Sequence, residues 1–280
     1  MTTDKGNDEL HEQLGRVRDR FTRTAAVFSE FVIAERGAFA ERLVTLTAPK
    51  PNERALDLAC GPGTLARMFA PRVRWVCGVD VTPAMLELAR KTARQEQLSN
   101  FFCCCGDAMA LPFADGSLDI TVGSYCLHHL ADPAAVIREL ARVLRPGGRV
   151  GVLDSIVPDD PERAAASNRI ERIRDASHTR TLSGTEIERM VEAAGFRVRA
   201  KEPIERPRSY DHWMRVAGWK RGDSAYEEGR RLLEESMPGD RAGFEPRVVA
   251  TADGGTDVEI VQKSLFIAGE RLPGTDSVDD

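Results

Sequence analysis

Short apolar runs alternate with segments of helical periodicity over residues 50–200. The runs predict strands near 54–58, 74–79, 100–105, 118–123 and 148–154, and the patterns between them predict helices near 63–70, 82–95, 132–144 and 183–194. Thr82-Pro83 and Asp132-Pro133 each place a proline after a capping residue, which is typical of a helix start. With two later strands, the alternation predicts an α/β fold with a Rossmann-like, doubly wound sheet of seven strands.

The segments that flank this alternation predict additional helices. Residues 9–46 have helical spacing, with Phe21, Phe28 and Phe31 in one stripe, and predict an N-terminal helical cover. A strand over Phe196–Lys201 is expected to pair with a last strand near Val258–Ala268, and the long amphipathic stretch between them predicts a helical lid. We therefore expect N-terminal helices over residues 1–48, a core over 49–203, the lid over 204–256, the last core strand over 257–270 and a disordered tail over 271–280.

Charge and hydropathy disfavour several classes of protein. The 280 residues carry a net charge of −5, whereas nucleic-acid binders usually have a basic excess, and the arginine-rich stretch 169–180 is interpreted as a solvated helix face. No apolar run approaches the roughly 20 residues of a membrane span, and the N-terminus has no apolar signal-peptide core. We expect a cytoplasmic protein with no nucleic-acid partner and no membrane span, while a homodimer stays open.

Six cysteines fall in or beside the predicted strands. None forms a C-x-x-C pair of zinc spacing, and within 103–105 the side chains of a strand alternate between the two faces. We therefore expect buried free thiols and no metal site, with a thiol-based metal or metalloid site as the alternative.

A glycine loop joins the first predicted strand to the first predicted helix. Gly61 and Gly63 end the apolar stretch, and Asp80 ends the next one. Glycines allow close approach of a ligand to the backbone, and a carboxylate at a strand end can accept both ribose hydroxyls, so the pattern predicts a nucleoside-containing cofactor. Gly61-x-Gly63-x-x-Ala66 also satisfies the dinucleotide fingerprint, which leaves an NAD-dependent oxidoreductase as an alternative.

Two neighbours of the loop favour S-adenosylmethionine over NAD. Pro62 removes one of the backbone N–H donors that a pyrophosphate needs. Asp57 precedes the glycines, where a carboxylate would oppose a pyrophosphate but would help to hold a sulfonium cofactor that bears an amino group. A protein that binds S-adenosylmethionine without methylating stays open as a further alternative.

Candidates for acceptor chemistry follow the fourth predicted strand, whose carboxyl end opens on the ligand crevice of a doubly wound sheet. His128 is the first candidate for a general base and His129 is its rival, with packing or substrate shaping as the alternative. Tyr125 lies beside them and lacks the asparagine and double-proline neighbours of enzymes that methylate amino groups in nucleic acids. A base of DNA or RNA is therefore disfavoured as the acceptor.

Further candidates come later in the chain. Asp175 and His178 are three residues apart, so on a helical turn they would share a face and form an orienting pair, with salt bridging or helix termination as the alternative. Asp154, at the end of the fifth strand, is another crevice candidate or a helix cap. Four lid residues suggest an apolar cap over a partly apolar acceptor, or packing against the sheet: Trp213, Met214, Trp219 and Phe244.

Four motifs in this order resemble those of the class I S-adenosylmethionine-dependent methyltransferases, in particular the type 11 branch similar to ubiquinone and menaquinone biosynthesis methyltransferases. The motifs are Leu56–Gly63, Gly78–Leu86, Gly106–Phe113 and Arg142–Gly148. The resemblance covers about residues 20–200, and one departure is Ala59, where the family often has glycine. It implies the class I methyltransferase fold and methyl transfer to a small-molecule acceptor.

The resemblance also implies residue roles. The methionine part of the cofactor would lie along the glycine loop, the ribose on Asp80 and the adenine beside Asp107, while Met85 would cover the adenine or pack in the core. The expected cofactor-binding residues are Asp57, Ala59, Gly61, Gly63, Asp80, Val81, Met85, Asp107, Ala108 and Ser124. The expected catalytic residues are Tyr125, His128, Asp175 and His178.

Overall fold

A computed structural model of the chain describes residues 10–25, 37–251 and 254–273. The predicted stripe positions Phe28 and Phe31, and most of the predicted tail, lie outside these residues. Within the described ranges, no helix is both long and apolar enough to cross a membrane.

Eight strands of the described chain form one mixed sheet. They are β1 (Arg54–Leu58), β2 (Trp75–Asp80), β3 (Phe101–Cys105), β4 (Leu118–Ser124), β5 (Leu144–Ser155), β6 (Phe196–Ser209), β7 (Arg247–Ala250) and β8 (Thr256–Arg271). Seven of them follow the order β3-β2-β1-β4-β5-β8-β6, and β7 pairs with β8 beside this path. The strands β1 to β5 are parallel, while β8 runs antiparallel to β5, β6 and β7. The predicted doubly wound fold is thereby confirmed, and β7 is an addition to it.

Helices lie on both faces of this sheet and in the predicted lid. They are α1 (residues 10–25), α2 (Gly37–Thr47), α3 (Thr64–Phe69), α4 (Pro83–Gln95), α5 (Pro133–Val143), α6 (Pro161–Arg174), α7 (Gly184–Ala193), α8 (Tyr210–Val216) and α9 (Ser224–Ser236). The predicted start at Asp132 is confirmed, because its side chain accepts from the Ala135 amide. Ser183 and Glu186 form a capping box at the start of α7. The helix α6 was not among the predicted crossover helices, and only its C-terminal part falls in the stretch 169–180 that was interpreted as a solvated helix face.

The strand β6 is longer than its sequence indicated. It continues beyond the predicted end at Lys201 to Ser209 and pairs with β8 along its whole length. Pro203 and Pro207 interrupt the strand pattern in the sequence, but β6 is at the edge of the sheet, where a missing N–H is tolerated. The helices of the predicted lid therefore begin only at Tyr210.

The lid helices have a hydrophobic cluster of their own. Trp213, Met214 and Phe244 are buried in this cluster together with Ile170 of α6 and Val258 of β8. Packing is thus the alternative that the structure supports for these three side chains, and the apolar-cap interpretation is wrong for them. Trp219 is half-buried, and its indole nitrogen donates to the carbonyl of Arg174 at 2.8 Å.

The cysteines are free thiols whose exposure differs. Cys60, Cys77 and Cys126 are buried as expected, whereas Cys103 and Cys104 are half-buried and Cys105 is exposed. Among the described residues, no cluster of three or more His, Cys, Asp or Glu side chains could hold a metal ion.

Candidate functional site

The carboxyl ends of the parallel strands surround a crevice where the strand order reverses between β1 and β4. It consists of two adjoining cavities that share Val17, Ala59, Asp80 and His129, and we call it the glycine-loop crevice. The cavity beside the loop is further lined by Phe21, Asp57, Cys60, Gly61, Pro62, Thr64, Leu65, Thr82, Met85, Ser124, Tyr125 and Cys126. The cavity beside β3 is further lined by Leu10, Gln13, Leu14, Leu58, Val79, Val81, Gly106, Asp107, Ala108, Met109, Leu130 and Ala131.

Two carboxylates fix the shape of the loop. One oxygen of Asp80 accepts the amide of Gly61 at 2.9 Å, and the other accepts the amide of Thr82 at 2.8 Å. Asp57 accepts the amide of Ala66 at 2.9 Å and so joins β1 to α3. These amides are already hydrogen-bonded within the protein, which disfavours a pyrophosphate on the loop. Each carboxylate oxygen keeps a second lone-pair site for a ligand.

The backbone of the loop is left-handed at three positions. The φ angles are 49° at Ala59, 53° at Gly61 and 84° at Gly63. This region favours glycine, which gives a physical reason why the resembling family often has glycine where this chain has Ala59.

The two glycines of the loop face different surroundings. A Cβ at Gly61 would meet nothing within 4 Å, and Gly61 lines the crevice. A Cβ at Gly63 would lie 2.8 Å from the ring of Phe101, and Gly63 is not among the described residues that line either cavity. Of the expected cofactor-binding residues, Gly63 is therefore placed for packing between the loop and β3, and the other nine line the crevice.

Burial shapes the electrostatics of the crevice. It raises the pKa of Asp57 to about 8, in spite of the hydrogen bond from Ala66. Burial also raises the pKa of Asp80, while the amides of Thr82 and Gly61 oppose the rise. A positively charged ligand group would favour the ionised form of both carboxyls.

Two polar side chains of the crevice point to a ligand. The buried hydroxyl of Thr64 has no hydrogen-bond partner within the described part of the chain, which is uncommon for a buried polar atom. Asp107 uses one oxygen to accept the amide of Met109 at 2.9 Å, which fixes its carboxylate at the cavity beside β3. Sequence reasoning identified Asp107 but missed Thr64.

A second pocket adjoins the crevice and shares Phe21, Tyr125 and His129 with it. We call it the arginine-lined pocket. Its other lining residues are Arg20, His128, Ser155, Glu171, Arg174, Asp175, His178, Thr181, Arg206, Arg208, Val216 and Gln262. Most of these side chains are polar, so the pocket differs from the expected apolar cap. The arginines, Glu171 and Gln262 were missed because they come from four elements that are distant in the sequence.

His128 and Asp154 form a dyad at the wall of this pocket. The Nδ1 atom of His128 lies 2.5 Å from Oδ1 of Asp154, whose other oxygen accepts the amide of Leu127 at 2.6 Å. Because the carboxylate accepts, Nδ1 carries the proton and Nε2 is the acceptor of the neutral ring. Burial opposes protonation of His128, but Asp154, together with Glu171 and Asp175, outweighs this effect and raises the pKa above its usual value.

His129 and His178 are held in neutral forms. Burial, aided by His128, lowers the pKa of His129 to about 4 and that of His178 to about 2. The ring of His129 lies 3.1 Å from the carbonyl of Ser177, and Nε2 of His178 lies 2.9 Å from Oδ1 of Asn168. Their environments do not resemble that of His128.

The expected pairing of Asp175 with His178 is wrong. The helix α6 ends at Arg174, so the two residues do not share a helical face. The carboxylate of Asp175 accepts from the amide and hydroxyl of Ser177 and from Arg20 at 3.3 Å. Burial acts to raise the pKa of Asp175, but His129, Arg20 and Ser177 together lower it. Asp175 and His178 nonetheless both line the arginine-lined pocket.

The helix α1 covers the crevice and the pocket together. The buried amide of Gln13 donates to the carbonyls of His129 at 2.9 Å and Ser177 at 2.7 Å. Phe21 packs edge-on against His129, and Arg20 reaches Asp175. Gln13, Phe21 and Arg20 thus hold α1 against both sites.

Comparisons with known proteins agree with this geometry. Residues 56–152 match the family model described as a methyltransferase domain. The chain is 27% identical to an uncharacterized methyltransferase, YcgJ, of Bacillus subtilis over 89% of this chain and 96% of that protein. The crystal structure of YcgJ superposes with a TM-score of 0.77 at 28% identity, covering 84% of this chain and 98% of that one.

A further relative shows the family. The chain is 30% identical to a demethylmenaquinone methyltransferase of Lactobacillus johnsonii over 65% of this chain and 84% of that protein. Together with the match over residues 56–152, this similarity confirms the resemblance that the motifs carried. The chain belongs to the class I S-adenosylmethionine-dependent methyltransferases of the type 11 family.

Proposed function

We propose that the protein transfers the methyl group of S-adenosylmethionine to a small-molecule acceptor bound in the arginine-lined pocket. The observation that carries this proposal is the shared wall of Phe21, Tyr125 and His129 between the crevice and the pocket. Because these three residues border both cavities, a cofactor in the crevice and an acceptor in the pocket would lie within reach of each other. A relative named for demethylmenaquinone supports a small-molecule acceptor.

In this proposal the crevice binds the cofactor through its carboxylates. Asp80 accepts from the ribose hydroxyls, Asp57 binds the positively charged amino group, and Asp107 accepts from the exocyclic amine of adenine. Thr64 supplies a hydroxyl to the methionine part. Val81, Ala108, Met85 and Ser124 contribute contact surface on the two sides of the crevice.

The acceptor step requires alignment and, for a hydroxyl acceptor, a base. Holding the acceptor in line with the methyl group can contribute roughly 7–11 kcal/mol through proximity and orientation. The bound cofactor would supply an electrophilic methyl group, and its neutral thioether product would be the leaving group. His128 receives the acceptor proton on Nε2, and Asp154 stabilises the resulting imidazolium. We assign Tyr125, Asp175 and His178 to shaping the pocket.

Calorimetric titration with S-adenosylmethionine, S-adenosylhomocysteine and NAD tests the cofactor. We expect the first two to bind and NAD not to bind. Asp80→Ala should weaken binding tenfold or more, because it removes a charge-assisted hydrogen bond of about 1.5–3 kcal/mol. Asp115→Ala is the control variant, because Asp115 is an exposed residue whose ion pair with Arg142 lies on the surface.

Methyl-label transfer to a panel of acceptors then separates a methyltransferase from a protein that only binds the cofactor. Binding of NAD alone would overturn the proposal and favour an oxidoreductase. Binding of S-adenosylmethionine without label transfer to any acceptor class would favour a non-methylating role.

A further inference from the structure

Three histidine rings meet at the arginine-lined pocket. His128, His129 and His178 all line it, with 4.2 Å between the ring centroids of His128 and His129 and 5.6 Å between those of His128 and His178. Of the three, only His129 is among the described residues that also line the crevice. His128 and His178 are therefore the two rings on the acceptor side, and the proposed reaction uses only His128.

Asn168 fixes the tautomer of His178. Nε2 of His178 lies 2.9 Å from Oδ1 of Asn168, and the same oxygen accepts the amide of Thr181 at 2.7 Å. The side-chain nitrogen of Asn168 donates to the carbonyls of Ala164 at 3.0 Å and Thr181 at 3.1 Å, which sets the orientation of the side-chain amide. Because Oδ1 only accepts, Nε2 of His178 carries the proton and Nδ1 is a hydrogen-bond acceptor.

Nδ1 of His178 has no hydrogen-bond partner within the described part of the chain. It is not among the fully enclosed polar atoms of these residues that lack a partner, so it meets the open space of the pocket. Burial, aided by His128 and His129, lowers the pKa of His178 to about 2, so the ring stays neutral. A neutral acceptor atom at a pocket wall is a position for an O–H or N–H group of a ligand.

His128 and His178 are suited to different tasks. Asp154 stabilises the protonated form of His128, whereas the partner of His178 is the neutral side chain of Asn168. A hydroxyl at His128 can therefore lose its proton, while a polar group at His178 keeps its proton and is only held. With 5.6 Å between their centroids, the two rings can contact two polar groups of one small molecule.

We infer that the methyl acceptor is a small molecule with two hydrogen-bond donors, a hydroxyl that is methylated at His128 and a second O–H or N–H group that Nδ1 of His178 binds. His178 is then a specificity-determining residue, because an acceptor without the second donor leaves Nδ1 without a partner. The second group keeps its proton, so we expect a singly methylated product. This inference rests on the proposed function for the identity of the pocket and on an oxygen atom as the acceptor.

The binding test uses the full chain saturated with S-adenosylhomocysteine and compares phenol with the dihydroxybenzene and aminophenol isomers. Calorimetry or ligand-observed NMR should show that at least one isomer binds tenfold or more tightly than phenol, because phenol cannot contact both rings. The comparison of dihydroxybenzenes with aminophenols distinguishes an O–H from an N–H group. Phenol that binds as tightly as every isomer would overturn the inference.

Variants at position 178 locate the second contact. His178→Phe keeps the shape of a ring but removes the acceptor atom, so the preference over phenol should fall about tenfold. His178→Asn places a carbonyl oxygen near the position of Nδ1 and should retain part of the preference. His212→Phe is the matched control, because His212 is exposed on α8 and is not among the described residues that line the pocket. A preference that persists in full in His178→Phe would contradict the assignment.

Nitrogen-15 NMR of the histidine rings tests the tautomer without any variant. Nδ1 of His178 should give the resonance of an unprotonated nitrogen, and this resonance should shift when the preferred isomer binds. A protonated Nδ1 would overturn the inference. The two proposals fail separately: if the parent protein does not bind S-adenosylhomocysteine, the proposed function fails, and if it does bind but prefers no isomer over phenol, only the second contact fails.

Discussion

Nδ1 of His128 lies 2.5 Å from Oδ1 of Asp154, a carboxylate that is only 1% exposed. The pair joins the turn after β4 to the end of β5, so the sheet itself sets its geometry. The imidazole thus has one nitrogen committed to a buried carboxylate and the other available at the pocket. This arrangement suits a general base better than the environment of either neighbouring histidine.

Asp154→Asn should lower the pKa of His128, because burial remains while the largest of the opposing negative charges is lost. An NMR titration of the imidazole resonances measures this shift without any acceptor. Asp175→Asn is the control and should have a smaller effect, since Asp175 contributes less to the pKa of His128 than Asp154 does. An unchanged pKa in Asp154→Asn would show that the dyad does not control the charge of His128.

Turnover of a hydroxyl acceptor should depend on the same ionisation. His128 accepts a proton only when neutral, and Asp154 raises its pKa, so the rate should rise with pH through that raised pKa. His128→Gln should lower kcat by about 10²- to 10⁴-fold, the usual contribution of general base catalysis. His178→Gln is the comparison, because His178 stays neutral and donates to Asn168. Equal losses in the two variants would contradict the assignment of the base.

Binding of S-adenosylmethionine should release a proton below pH 8. Burial raises the pKa of Asp57 to about 8, so this carboxyl is mostly protonated at pH 7 in the free protein. The positively charged amino group of the cofactor favours the carboxylate, so affinity should increase as pH rises towards 8. Calorimetric titration in buffers of different ionisation enthalpy measures the number of protons that are released when the cofactor binds. Asp57→Asn should abolish the release, and release that persists in this variant would implicate another group.

Gly61→Ala should mainly weaken cofactor binding, whereas Gly63→Ala should mainly lower the stability of the fold. A methyl group at Gly61 would extend into open space in the crevice, so we expect cofactor affinity to fall tenfold or more. Because the backbone is left-handed at this position, the variant should also lose about 1–2 kcal/mol of stability. Gly63→Ala combines the same left-handed backbone with a contact of 2.8 Å to the Phe101 ring, so this variant should lose roughly 2–5 kcal/mol of stability.

Urea unfolding and calorimetric titration of both variants check this contrast. Phe101→Leu should recover part of the stability lost in Gly63→Ala, because it removes the obstructing edge of the ring. If Gly63→Ala instead folds normally and loses only cofactor binding, then Gly63 belongs with the ligand contacts, as the resemblance implied.

The parts of the fold that were predictable have regular patterns. The strands β1 to β5 and the helices between them have clear hydrophobic periods and capping residues, and their order specified where the crevice would form. The helix α6 has no apolar stripe, because Ser167, Asn168 and Glu171 are among its buried residues. Asn168 holds His178, and Glu171 lines the pocket. The apolar pattern therefore does not predict the element where polar side chains are buried to form the candidate site.

The candidate site was predictable on the cofactor side and much less so on the acceptor side. The loop residues and Asp80 are close together in the sequence or fall at strand ends, where local rules apply. The arginine-lined pocket depends on Arg20, Arg174 and Arg206 meeting across α1, α6 and β6. Only tertiary packing brings these residues together, and in the sequence each is typical of an exposed charge.

Gln13→Leu should increase the rate at which the cofactor dissociates. The side chain of Gln13 is 4% exposed and joins α1 to the carbonyls of His129 and Ser177, so its loss leaves two buried acceptors without this donor. If the covering position of α1 becomes less stable by about 1–3 kcal/mol, the cofactor should dissociate roughly five- to 150-fold faster. Stopped-flow displacement of a fluorescent S-adenosylhomocysteine analogue measures this rate. Arg18→Ala, exposed on the same helix, should leave the rate unchanged, and an equal increase in both variants would indicate general loss of the helix rather than of the Gln13 contacts.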